Sequence, residues 1–310
     1  MLRWRVDPQL KKEAEENYRT AYALSLEGKS VIEIIRELTF DKSASNITVR
    51  DIENLFNYLE DYFLGRPING VGLEVGAGPA VFSSILARRS GVEKVYAVEI
   101  CGNIVEHLAP KVVGELAGNN SDKVRCCVGD FNNIKLENES VDFIFDFFSL
   151  HHSDNPEITL KECARVLKKG GFLLALDKAR PDKKTDVEIK QMLDSEYDEK
   201  YKSDFGLNTK IKLTRQMNGE REYRLKEWRH FFLISGFNKF IHYRLDQCAG
   251  PFVVKFIKKT LATLPPNLQI YLTKFLPHNN NLFDISWENR VFTSKLDNFR
   301  KEISLMVAYK

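Results

Sequence analysis

Val71-Gly72-Leu73-Glu74-Val75-Gly76-Ala77-Gly78-Pro79 is a short apolar run that ends in an acidic residue and a Gly-x-Gly turn. A helical segment follows, over 80–89. Glycines at such a turn permit backbone conformations, and an approach to a ligand, that a side chain would block. The layout suits a strand that hands over to a helix beside a nucleotide-like cofactor.

Outward from this stretch the grain is strand–helix alternation. Candidate strands are 71–75, 94–100, 123–128, 141–148 and 171–177, and helices are expected over 80–89 and 156–167. Such alternation implies parallel strands with right-handed crossovers in a doubly wound α/β sheet. Upstream, residues 1–66 read as helical: an Ala/Glu/Lys-rich run over 11–26, then Val31, Ile32, Ile34, Ile35 and Leu38 at helical spacing. A third helix runs through Ile52, Leu55, Phe56, Leu59 and Phe63, opened by a capping pattern at Thr48. Downstream, 178–222 is dense in charge and too long for a plain connector, which suggests a lid or substrate-facing insert. A helix over 225–236, a strand over 239–245 and a last strand over 302–310 follow.

In open α/β sheets, ligands bind beyond the carboxyl ends of the strands. Polar residues fall at those ends here. Strand two ends at Glu99-Ile100, about 20 positions after the glycine turn, where a ribose-hydroxyl acceptor belongs. Strand three ends at Gly129-Asp130-Phe131, a carboxylate and a ring suited to an adenine. Strand four ends in Phe147-Phe148-Ser149-Leu150-His151-His152. Imidazole titrates near neutrality, so His151 and His152 are candidate general bases; the alternative is that they fill the pocket wall or bond to backbone. Asp146 and Asp177 are further candidate bases.

Taken together, these pieces resemble the class I S-adenosylmethionine-dependent methyltransferases, the broad family with many small-molecule members. The motifs that carry the likeness are Leu73-Glu74-Val75-Gly76-Ala77-Gly78, Val95-Tyr96-Ala97-Val98-Glu99, Gly129-Asp130, Val141-Asp142-Phe143 with Ser149-Leu150-His151-His152, and Val166-Leu167-Lys168-Lys169-Gly170-Gly171. The resemblance implies a Rossmann-like sheet of seven strands, mostly parallel with an antiparallel last strand, plus N-terminal helices and a helical insertion. It implies S-adenosyl-L-methionine as cofactor, with Gly76, Ala77 and Gly78 giving backbone access and Glu74 positioning the methionine end. Glu99, with Ile100 beside it, would hold the ribose; Gly129, Asp130 and Phe131 would meet the adenine; Phe147 would contact the amino-acid part. One departure is that Ala80 and Val81 stand where a further Gly is frequent.

The expected organisation is an N-terminal helical cap (1–66), a cofactor-binding core (67–246) with an insert (178–224), a helical accessory insertion (247–300) and a final core strand (301–310). The first rival is an NAD-dependent oxidoreductase on the same fold; its G-x-G-x-x-G fingerprint needs glycine at position 81, which is Val81. The second is a non-catalytic cofactor-binding scaffold, although such chains usually lose the turn or the ribose acid. No Asn/Asp-Pro-Pro-aromatic motif follows strand four and no Pro-Cys pair exists, which argues against methylation of adenine or glutamine amino groups and of cytosine C5. The acceptor is therefore expected to be an O or N nucleophile on a small molecule, a glycan or a lipid-linked intermediate.

A net charge of +3 is too small to argue for nucleic acid. The five cysteines include no C-x-x-C pair, so we expect reduced thiols and a cytoplasmic protein; His107, His230, His242 and His278 show no metal-ligand spacing, so no metal site is expected. Residues 252–276 interleave lysines with apolar positions. They read as accessory helices packing on the core or forming a homodimer face, with weak membrane-surface contact as the sharper alternative.

Overall fold

The computed structural model describes residues 1–6, 8–9, 26–37, 49–204, 207–247, 283–287 and 303–310. The stretches expected as a first helix over 11–26, as a cap at Thr48 and as the apolar, basic segment 252–276 lie largely or wholly outside these residues.

The strands are β1 (Leu2–Arg3), β2 (Gly70–Val75), β3 (Val92–Glu99), β4 (Val124–Val128), β5 (Val141–Phe147), β6 (Leu167–Lys178), β7 (Lys239–Gln247), β8 (Phe283–Trp287) and β9 (Ile303–Tyr309). They form one sheet in the order β1-β4-β3-β2-β5-β6-β9-β7-β8. Pairings from β1 to β6 are parallel, and those of β6 with β9, β9 with β7 and β7 with β8 are antiparallel. The doubly wound α/β class and the antiparallel last strand are as expected. The strand count is not: among the described residues nine strands stand where seven were expected, because β1 and β8 extend the two edges. Residues 2–3, read from the sequence as part of a helical cap, are strand; two residues carry no periodicity by which to recognise them.

The helices are α1 (Val31–Glu37), α2 (Val49–Leu59), α3 (Val81–Ala87), α4 (Ala109–Ala117), α5 (Pro156–Val166), α6 (Asp186–Asp194), α7 (Glu199–Asp204) and α8 (Leu225–Ile234). Strand side chains alternate between two buried faces. Phe143, Phe145, Phe172 and Leu174 pack on one face with Phe56 of α2 and Phe82 of α3. Leu73, Ile144 and Leu173 face the other way, onto Cys163 of α5 and Trp228 and Phe232 of α8. Both faces are covered, so the middle strands are apolar throughout.

β3 and β4 wind away from β2 on one side, while β5 and β6 lie on its other side. The chain thus reverses direction of travel at β2, and the crevice beyond the carboxyl ends there is the place such sheets bind ligands.

Candidate functional site

The turn after β2 is built from unusual backbone. Gly76 and Gly78 have positive φ, and so does Ala80, at 64°. Ala80 therefore adopts the left-handed conformation that glycine favours, at one of the two positions where the resemblance expects a further Gly. A Cβ on residue 76 would collide with Ser149 of the turn after β5, so this glycine lets two strand ends approach each other. Phe148, also at a strand end, has φ 56°. Ala80 and Phe148, two non-glycine residues in a disfavoured region, follow the adjacent strands β2 and β5, and such backbone is common near functional sites.

Glu99 ends β3 and is buried. Its Oε2 accepts from the Gly78 N–H at 3.1 Å and its Oε1 from the Cys101 N–H at 2.9 Å. Two main-chain donors aim the carboxylate. Asp130 follows β4; its Oδ1 accepts from the Asn132 N–H at 2.8 Å. The cleft between these groups is lined by Gly76, Glu99, Ile100, Asp130, Phe131, Asn132, His152 and Asp154. Counting its open mouth, it holds about 410 Å³ of space.

The structure thus brings Gly76, Glu99, Ile100, Asp130, Phe131 and His152 together around one space. Glu74 does not line it. Its carboxyl turns beneath the sheet end and accepts from the Ser83 N–H at 2.8 Å and from the Ser83 hydroxyl, in the first turn of α3. Burial pushes its pKa up to about 8 in spite of those bonds. Ala77 is buried, with its N–H given to the Val98 carbonyl at 2.8 Å. Phe147 stacks its ring near Phe82, at 4.4 Å between centroids. Gly129 lies under Trp4.

The adjacent histidines part company. His151 is buried, and its Nδ1 meets Asp177 Oδ1 at 2.6 Å while its N–H is given to Asp177 Oδ2 at 2.8 Å. His152 is half-buried and faces the cleft; its Nδ1 lies 3.1 Å from the Gly219 carbonyl. A carbonyl can only accept, so His152 Nδ1 carries the hydrogen, and in the neutral ring Nε2 is the basic atom.

Asp146 and Asp177 occupy one face at the ends of adjacent strands, and neither lines the cleft. Burial, then the charge of Asp177, raises the Asp146 pKa well above the carboxylate range. Hydrogen bonds act the other way: Asp146 Oδ1 accepts from the Ser149 N–H at 3.1 Å, the Leu150 N–H at 3.0 Å and the Ser149 hydroxyl.

The charged insert docks directly on the histidine turn. Arg221 donates its N–H to the His151 carbonyl at 3.0 Å and pairs its guanidinium with Asp154. Beside it, the buried Lys178 and Arg180 and the half-buried Arg215 form a knot with Glu220 and Glu222. Burial alone would raise the Glu220 pKa, but Lys178 and Arg215 hold it well below the usual carboxylate range. Asn132 and Asp154 were missed from sequence. Asn132 lies one residue and Asp154 two residues beyond a singled-out motif, in loops whose polar residues carry no period.

Among the described residues there is no cluster of side chains able to hold a metal ion, and no helix is long and apolar enough to cross a membrane.

Residues 73–175 match the Methyltransferase domain family. The chain carries a class I S-adenosylmethionine-dependent methyltransferase domain. Its cofactor is S-adenosylmethionine. Curated relatives of this chain include the sarcosine/dimethylglycine N-methyltransferase of Aphanothece halophytica, 26% identical over 144 residues, which are 46% of this chain and 49% of the relative. The malonyl-[acyl-carrier protein] O-methyltransferase of Methylococcus capsulatus is 30% identical over 101 residues, 33% of this chain and 34% of the relative. The demethylmenaquinone methyltransferase of Staphylococcus haemolyticus is 26% identical over 115 residues, 37% of this chain and 46% of the relative. The chain thus spans a third to a half of the length of the relatives it matches.

Proposed function

We propose that this protein transfers a methyl group from S-adenosylmethionine to an O or N nucleophile, with a small molecule as the favoured acceptor class. The observation that carries the reading is the Glu99 carboxylate, aimed by two main-chain N–H groups at the edge of a cleft that also holds Asp130, Phe131 and His152. In this reading Glu99 takes the two ribose hydroxyls and Asp130 accepts from the adenine amino group. Phe131 covers the base. The Gly76–Gly78 turn leaves room for the amino-acid end. The residues fit the cofactor because acceptors stand where the cofactor presents donors, and because no Cβ would lie between residue 78 and the open space.

When bound, the cofactor supplies a methyl group on a positively charged sulfur. The chain's residues then align the nucleophile, keep water out and take its proton. His152 is the residue we assign to the proton. It lines the cleft, and the Gly219 carbonyl holds it in the tautomer whose Nε2 is basic. His151, buried against Asp177, orients the turn. A small-molecule acceptor agrees with the names of two of the relatives, while the third names a malonyl group on an acyl-carrier protein. Glycan and lipid-linked acceptors remain arms of the test.

Calorimetry with S-adenosylhomocysteine and with NADH tests the cofactor side; tighter binding of NADH overturns the reading. A panel of amines, phenols, carboxylic acids, sugars and lipid-linked acceptors, read by release of S-adenosylhomocysteine, tests the acceptor class.

A further inference from the structure

The two-residue strand β1 lies at the sheet edge, parallel to β4, with Leu2 opposite Cys127 and Arg3 opposite Val128. The next residue, Trp4, donates its N–H to the Val128 carbonyl at 2.8 Å. So short a pairing has little stability of its own. Side chains fasten it: Arg3 pairs with Glu106 at 2.6 Å on the surface, and the Trp4 indole packs onto the core.

The indole lies over Gly129. A Cβ built there would stand 2.6 Å from Trp4 Cε3, 3.2 Å from Trp4 Cδ2 and 3.3 Å from Val98 Cγ1. The glycine is therefore present because the ring takes the place of a side chain. Gly129 is the first residue after β4, tied to the Glu99 carbonyl by its N–H at 2.9 Å. Asp130 and Phe131, which line the cleft, follow at once. A glycine hinge before two ligand-facing residues has the widest backbone freedom of any residue. The flat ring pressed on it removes that freedom.

We propose that Trp4 is a positioning residue for the adenine end of the cofactor site: docked through the N-terminal edge strand, its indole sets the direction in which Asp130 and Phe131 leave β4. The inference rests on the reading that Asp130 meets the adenine amino group. It has a linkage consequence. Because the ring and the cofactor favour the same turn, cofactor binding strengthens docking of residues 2–4, and docking strengthens cofactor binding by the same factor.

The test uses Trp4→Ala and Trp4→Phe in the full chain. Affinities are measured by calorimetry for S-adenosylhomocysteine and for S-inosylhomocysteine, in which a carbonyl replaces the adenine amino group. Wild type is expected to prefer S-adenosylhomocysteine. Trp4→Ala is expected to weaken S-adenosylhomocysteine by about ten-fold and S-inosylhomocysteine much less, the coupling typical of residues in one contact network. Trp4→Phe, which keeps a ring on the glycine, is expected to restore most of the affinity. Gly129→Ala, which pushes the ring away from the other side, is expected to reproduce Trp4→Ala. Should Trp4→Ala melt too low to assay, Trp4→Leu, which keeps bulk without the flat ring, carries the same comparison. Unchanged affinity for S-adenosylhomocysteine in the Ala or Leu variant overturns the proposal. So does an equal loss for both ligands, since that makes Trp4 a general support. A wild type that does not distinguish the two ligands refutes the Asp130 reading first, and the proposal with it.

Discussion

Glu74→Gln separates a buried neutral carboxyl from a charged one. Glu74 is 1% exposed and its pKa is raised from 4.5 to about 8, by burial foremost. Between those values the folded chain holds a proton that the unfolded chain has released. Stability therefore falls as pH rises through that window, since the unfolded state binds fewer protons. The full displacement corresponds to about 5 kcal/mol, reached above pH 8; at pH 5 the cost is about 1 kcal/mol. Solvent does not screen a group so deeply buried, so no large discount applies. Glutamine is neutral at every pH and keeps an oxygen for the Ser83 N–H. Urea denaturation of both proteins, followed by circular dichroism at pH 5, 6.5 and 8, reads the difference. The amide needs an acceptor for its own hydrogens, which adds an offset independent of pH. The slope is the diagnostic: Glu74→Gln gains on wild type by roughly 3 kcal/mol between pH 5 and 8. A constant separation across that range would mean that Glu74 is ionised in the folded protein, and the argument from burial would be wrong.

Glu99→Ala removes a carboxylate proposed to take two ribose hydroxyls, and should weaken S-adenosylhomocysteine roughly 10- to 100-fold by calorimetry; unchanged affinity rejects the assignment. His152→Gln should slow single-turnover methyl transfer by about 100-fold or more, and His151→Gln by less; the reverse order would transfer the base to the buried histidine. His242 is buried, and burial lowers its pKa from 6.5 to about 4. The unfolded chain gains its proton first, so wild type should lose about 3 kcal/mol as pH falls from 6.5 to 4, a loss that His242→Phe should not share when melts are compared across that range.

The central strands were legible because burial on both faces makes them continuous apolar runs, as in Val141-Asp142-Phe143-Ile144-Phe145. Glu99 and Asp130 were legible because strand-end position alone puts them beside the crevice. The direction of Glu74 was not. It depends on where the α3 donors fall in space, and Ser83, nine positions on, gives no sign in the sequence of which carboxyl it meets. The histidines could not be told apart, since neighbours in a tight turn point to different sides and only the Asp177 and Gly219 partners show which is which. Asp154 reaches the cleft in a loop held by Arg221, 67 residues away, a contact that only the insert's fold creates.

The knot of Lys178, Arg180, Arg215, Glu220 and Glu222 bears on how such a chain can change over generations. Removing one partner leaves a desolvated charge, which commonly costs 3–5 kcal/mol, whereas exchanging the whole set for apolar residues is often neutral. Single steps away from the present arrangement therefore pass through a poorly folded protein, and only coordinated replacements reach another stable one. The segment resting on the histidine turn should stay locked in small variants and diverge between distant ones in blocks, with acids and bases at these five positions appearing or vanishing together.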